Sequence, residues 1–122
     1  MKKLIPLLIM IGAASCQSDG FHTRENRTLT NLTEEQLGQR LGAEYKSCTN
    51  TVGQFARSPE PESARTRTIL TLYPTNKAGN LSVPIKTMSW VKNRIVTTAW
   101  LHHTNGVWIS FYAEDWNMDS LE

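Results

Sequence analysis

Long apolar runs are scarce in this chain of 122 residues. The longest, Leu4 to Ile11, is interrupted by Pro6 and falls well short of the ~20 residues that a permanent membrane-spanning helix needs. A surplus of one charge is also missing, with 13 Lys+Arg against 11 Asp+Glu. Two of the bases, Lys2 and Lys3, lie in a segment read below as removed, so the remainder balances. Such a chain carries no overall electrostatic footprint for nucleic acid or for an anionic bilayer. Cysteine is nearly absent: the two residues Cys16 and Cys48 make neither a disulfide framework nor a zinc pattern. No glycine-rich phosphate loop, Ser-His-Asp order or metal-ligand spacing is present. Catalysis is therefore not expected, and no cofactor is implied. What remains is an ordinary globular composition, 39% apolar and 20% charged, with length for one core.

The N-terminus carries the most specific signal. Met1-Lys2-Lys3 is a positive leader, the short apolar run follows, and Gly12-Ala13-Ala14-Ser15 closes on Cys16. Ala13-Ala14-Ser15-Cys16 resembles the bacterial lipobox. The resemblance implies cleavage after Ser15, a diacylglyceryl thioether on the Cys16 sulfur and usually a third acyl chain on the freed amine. Two or three chains make a stable anchor where one holds only marginally. Gln17 rather than Asp after the cysteine favours the outer membrane where the cell has one. The division expected is residues 1–15 as signal peptide, 16–30 as lipidated cysteine and polar tether, and 31–122 as a small domain. If Cys16 carries lipid, Cys48 has no partner in its own chain and reads as a small apolar residue. Three Asn-x-Ser/Thr triplets, at Asn26, Asn31 and Asn80, are discounted as chance matches beside the lipobox.

Leu32 to Gly42 is the clearest helix. Thr33 is the N-cap and Gln36 closes a capping box, while Leu32 and Leu37 form the hydrophobic staple. Glu34 and Glu35 suit the positive end of the helix, and Gly42 stops it. Ser47 to Arg65 reads as a long loop. From Thr66 the pattern turns to β: Thr66 to Tyr73, Val83 to Val91, Arg94 to His102 and Val107 to Ala113. Asn105-Gly106 is a strong hairpin signal, since both turn positions need positive φ. The expectation is α+β, one short capped helix on a four-strand antiparallel meander.

Alternation along the last three strands sorts the side chains into two faces. Ile85, Val91, Val96, Trp100, Val107, Ile109 and Phe111 form the first, expected to be the core beneath the helix. Met88, Trp90, Ile95, Leu101, Trp108 and Tyr112 form the second, too apolar to stand in water. Cover by the long loop and the C-terminal tail, by a partner or by a second copy of the chain is expected there. Met88, Trp90, Leu101, Trp108 and Tyr112 are the candidate contact residues.

Leu32-Thr33-Glu34-Glu35-Gln36-Leu37 followed by Leu41-Gly42 resembles the small SmpA/OmlA (BamE-like) outer-membrane lipoproteins. These carry a Thr-x-x-x-Val/Leu-x-x-x-Leu-Gly segment and three antiparallel strands after it. The resemblance implies an envelope lipoprotein whose domain binds protein. Asn31 stands where the family usually has Gly, and Glu44 where it usually has Pro.

Other chemistry is thin. His102 and His103, adjacent on a strand, point to opposite faces and do not share a metal. Glu114, Asp115 and Asp119 read as a solvated tail. Four tryptophans, at 90, 100, 108 and 116, offer contact area for protein or for sugar. The reading is a membrane-anchored envelope lipoprotein that binds protein through an aromatic sheet face. The alternative is a carbohydrate or cell-wall module using the exposed tryptophans.

Overall fold

Two tight turns organise the sheet. Asn93-Arg94 and Asn105-Gly106 all have positive φ, between 52° and 85°, the twist that a two-residue hairpin requires. They join β3 (Pro84–Lys92), β4 (Ile95–Thr104) and β5 (Val107–Asn117). The computed structural model describes residues 23–57 and 63–121. Ahead of these strands lie β1 (Arg24–Glu25), α1 (Glu34–Leu41), β2 (Lys46–Thr51), α2 (Val52–Ala56) and α3 (Ala64–Leu72), with short 3-10 turns between. The class is α+β. The antiparallel sheet has five strands in the order β1-β5-β4-β3-β2, one more than anticipated.

α1 forms as its sequence indicates. Thr33 Oγ1 accepts from the Gln36 N–H at 3.1 Å and Gln36 Oε1 accepts from the Thr33 N–H at 2.9 Å, so two otherwise orphaned donors are satisfied. Gly42 ends the helix at φ 87°. The helix does not lie on the first face, however. Leu29, Leu37, Met88, Trp90, Ala99, Leu101 and Ala113 make one buried cluster, so α1 covers the face expected to be open.

The cause is a latch at Ser110. Its backbone accepts from Asn31 N–H at 2.7 Å and donates to Leu32 O at 2.8 Å. Its buried hydroxyl accepts from Leu32 N–H at 3.0 Å and donates to Leu29 O at 2.6 Å. Ser110 sits opposite Leu101, on the second face, and the chain tied to it enters α1 on that side. Residues 24–30, read as tether, are thus part of the domain, with β1 paired to β5.

The first face is covered by α2 and α3 instead. Val52, Phe55 and Ile69 pack on Ile85, Trp100 and Tyr112. The segment Ser47 to Arg65 is therefore not a loop: β2 and α2 occupy its first half, and residues 58–62 lie outside those described. Thr66 to Tyr73 is helix, not strand. Ser63 Oγ caps it by accepting from Thr66 N–H. Spacing of the inward residues Thr66, Ile69 and Tyr73 is helical. The hydroxyls of Thr68 and Thr71 bond back to the carbonyls of Ala64 and Arg67, so packing overrides the weak helix propensity of these β-branched residues.

β5 also runs further than expected, to Asn117. Glu114, taken for part of a solvated tail, is only 3% exposed. Trp100 pairs with Tyr112 but Leu101 pairs with Ser110, leaving Phe111 as the extra residue of a bulge. Ser110→Ala should cost about 2–6 kcal/mol in urea unfolding, because it orphans two backbone groups, Leu29 O and Leu32 N–H, at ~1–3 kcal/mol each.

Candidate functional site

With both faces occupied, the proposed contact residues are core. Met88, Trp90, Leu101 and Tyr112 are 0–4% exposed. Tyr112 moreover belongs to the opposite face from the other three, because the bulge at Phe111 shifts the alternation by one residue. Only Trp108 is half-buried, with Lys86 Nζ over its ring at 5.2 Å and His103 against it at 5.1 Å. The remaining tryptophans, Trp100 and Trp116, are buried as well. Cys16 lies outside the described residues. Cys48, on β2, is disulfide-bonded, where the sequence reading left it without a partner. The chain holds one other cysteine, Cys16, so an in-chain disulfide and a thioether there are alternative fates of one sulfur.

A concavity of about 810 Å³ lies between α3 and the segment Glu25–Asn31. Its helix wall is Ala64, Arg67, Thr68, Thr71 and Leu72, one face at i, i+3, i+4, i+7 and i+8. Its other wall carries Glu25, Arg27, Thr30 and Asn31, and its floor is His102, Phe111 and Tyr112. The bulge is what turns Phe111 to this floor, where its ring meets His102 at 5.0 Å. Asn31 reaches the wall through a left-handed backbone, φ 62°, a conformation asparagine tolerates.

His102 joins floor to helix. Its Nδ1 lies 2.6 Å from the Tyr73 hydroxyl, just past the end of α3. Burial lowers the His102 pKa and raises that of Tyr73, so both are neutral near pH 7. The Tyr73 hydroxyl and His102 Nδ1 share one hydrogen bond, whose direction follows the tautomer of the ring. Burial, reinforced by Glu114 and Glu25, pushes the Tyr112 phenol far above its ordinary range. Its hydroxyl is accordingly a permanent donor, 3.3 Å from Glu114 Oε1.

Arg27 Nε lies 3.4 Å from Glu25 on the outer lip. The lining thus offers guanidinium and imidazole donors, a carboxylate acceptor and an aromatic floor. No cluster of three or more His, Cys, Asp or Glu able to hold a metal ion occurs among the described residues. His102 and His103 part company as strand geometry requires, one in this cleft and one on Trp108. The cleft went unread because its walls come from the supposed tether and from the supposed first strand. The usable signal was Ser63 three residues before Thr66, an N-cap spacing. No family model, curated protein or solved structure matches the chain.

The lowered His102 pKa has a definite sign. The unfolded chain takes up a proton near the ordinary value of 6.5 and the folded chain only below it, so stability falls as pH drops through this window. Urea midpoints measured from neutral to mildly acid pH should fall more steeply for the native chain than for His102→Gln, which keeps an acceptor for Tyr73.

Proposed function

We propose that this chain is a lipid-anchored protein of the cell envelope, outer membrane favoured, whose domain binds another protein through the cleft between α3 and Glu25–Asn31. The observation that carries the binding site is the closure of both sheet faces beside an open cleft of about 810 Å³, larger than the depression of about 440 Å³ between α1 and the β3–β4 hairpin. Its open form suits the surface of a protein, since small-molecule sites enclose most of their ligand. Mixed donors and acceptors over aromatic rings are the composition of a specific contact patch. The contact surface in this reading is the cleft, not the aromatic sheet face anticipated from the sequence. Sugar stacking would rest on Trp108 alone.

The anchor rests on the lipobox-like Ala13-Ala14-Ser15-Cys16. Likeness to the SmpA/OmlA lipoproteins supports the same reading through Thr33 to Gly42 and the three strands that end the domain.

Two measurements test it. The intact mass of the membrane-extracted protein should begin at Cys16 and include acyl chains. A mature chain without acyl mass, closed by a Cys16–Cys48 disulfide, overturns the anchor. Partner recovery by the acylated protein should drop at least about tenfold with Leu72→Asp or Arg67→Glu, both on exposed positions of the helix wall. Equal recovery by the native chain and both variants removes the cleft as the contact surface.

A further inference from the structure

The end of the sheet holding the Asn93-Arg94 turn is the end from which the chain leads back to Cys16. β1 is antiparallel to β5, with Arg24 opposite Asp115 and Glu25 opposite Glu114. β5 finishes at Asn117 opposite Ile95. Arg24 therefore lies towards the β3–β4 turn, with Asn105-Gly106 at the far end.

Arg24 is eight residues from Cys16, a span of at most about 27 Å at ~3.4 Å per residue. From Asp115 back to Val107 is about 26 Å at ~3.3 Å per residue. An anchor at Cys16 can meet a bilayer under the β3–β4 turn without a drawn-out tether. It meets one under the far turn only if the tether is drawn out along the full length of the domain.

That end also has the composition of an interfacial contact. Val91 and Ile95 flank the turn at 38% and 39% exposure, and Tyr45 nearby is 50% exposed. Among the described residues there, five bases, Arg24, Arg40, Lys46, Lys92 and Arg94, stand against three carboxylates, Glu44, Asp115 and Asp119. Asp119 is engaged by Arg94 at 2.6 Å, and Asp115 accepts from Asn26 and Thr97. A depression of about 440 Å³ between α1 and the hairpin is lined by Leu41, Trp90 and Ile95 together with Arg40 and Lys92. The far turn, Thr104 to Val107, carries no charge. Overall neutrality thus conceals a basic, apolar-tipped end.

We propose that this end is a membrane-contact surface for anionic phospholipid. Val91, Ile95 and Tyr45 enter the headgroup region while Lys92 meets lipid phosphates. The cleft near α3 is then held away from the bilayer. The proposal rests on the acyl anchor at Cys16.

The test is amide hydrogen exchange on the acylated protein in phosphatidylcholine–phosphatidylglycerol vesicles, against the Cys16→Ser chain in buffer. Amides of Lys92–Ile95 should slow by roughly fivefold or more while those of Thr104–Val107 stay unchanged. The slowing should vanish in a Lys92→Glu/Ile95→Asp variant that still floats with vesicles. Acylated, floating protein with equal slowing at both turns, or at neither, overturns the contact surface and leaves the anchor standing. Protein that lacks acyl mass and does not float overturns both.

Discussion

A sheet that is apolar on both sides must be covered twice, and this requirement governs the molecule. β3 and β4 send Met88, Trp90 and Leu101 one way and Ile85, Val96 and Trp100 the other, all at 4% exposure or less. Burying each such side chain is worth ~1.5–3 kcal/mol, so neither face is left to water. α1, α2 and α3 have only eight, five and nine residues, too few to be stable alone. They exist because the sheet gives them apolar surface, and the faces of the sheet are kept from water because they cover it. Each half of the arrangement depends on the other.

The covers arrive on their sides for local reasons. Ser110 ties the strand before α1 to β5 and so delivers α1 to one face. Thr51 ends β2 and caps α2 in the next residue, with Gln54 completing a second capping box, which brings the chain over the opposite face. Since α3 and the Glu25–Asn31 segment come from distant parts of the sequence, they meet the sheet margin without closing over it. The cleft is the seam that remains, floored by His102, Tyr112 and Phe111, the residue that the bulge releases from pairing.

Much of this was legible in the sequence. The Thr33–Gln36 box, the Asn-Gly turn and the sorting of strand residues into two faces all reflect short-range rules, and they survive in the structure except at Tyr112. There the bulge breaks the period of two, and nothing local announces it. Which face receives which helix was not legible, because it depends on Ser110 bonding to residues about 80 positions away. Thr66 to Tyr73 looked like strand because its threonines alternate, yet contact with Trp100 and Tyr112 made it helix. Thr51-Val52-Gly53-Gln54 repeats the cap spacing of Thr33 to Gln36 and was readable, but it lay inside a stretch rich in turn residues. The cleft combined three such misreadings and was therefore invisible before the fold.

The central claim, that the chain covers both faces of its own sheet, is most directly tested by acrylamide quenching of tryptophan fluorescence in the native, partner-free protein. Trp90, Trp100 and Trp116 should be shielded, leaving Trp108 as the accessible emitter, so a Trp108→Phe variant should show little quenching until urea unfolds it. Strong quenching of that variant in the native state would mean that a face lies open, and would contradict the arrangement of covers on which the cleft and its proposed use depend.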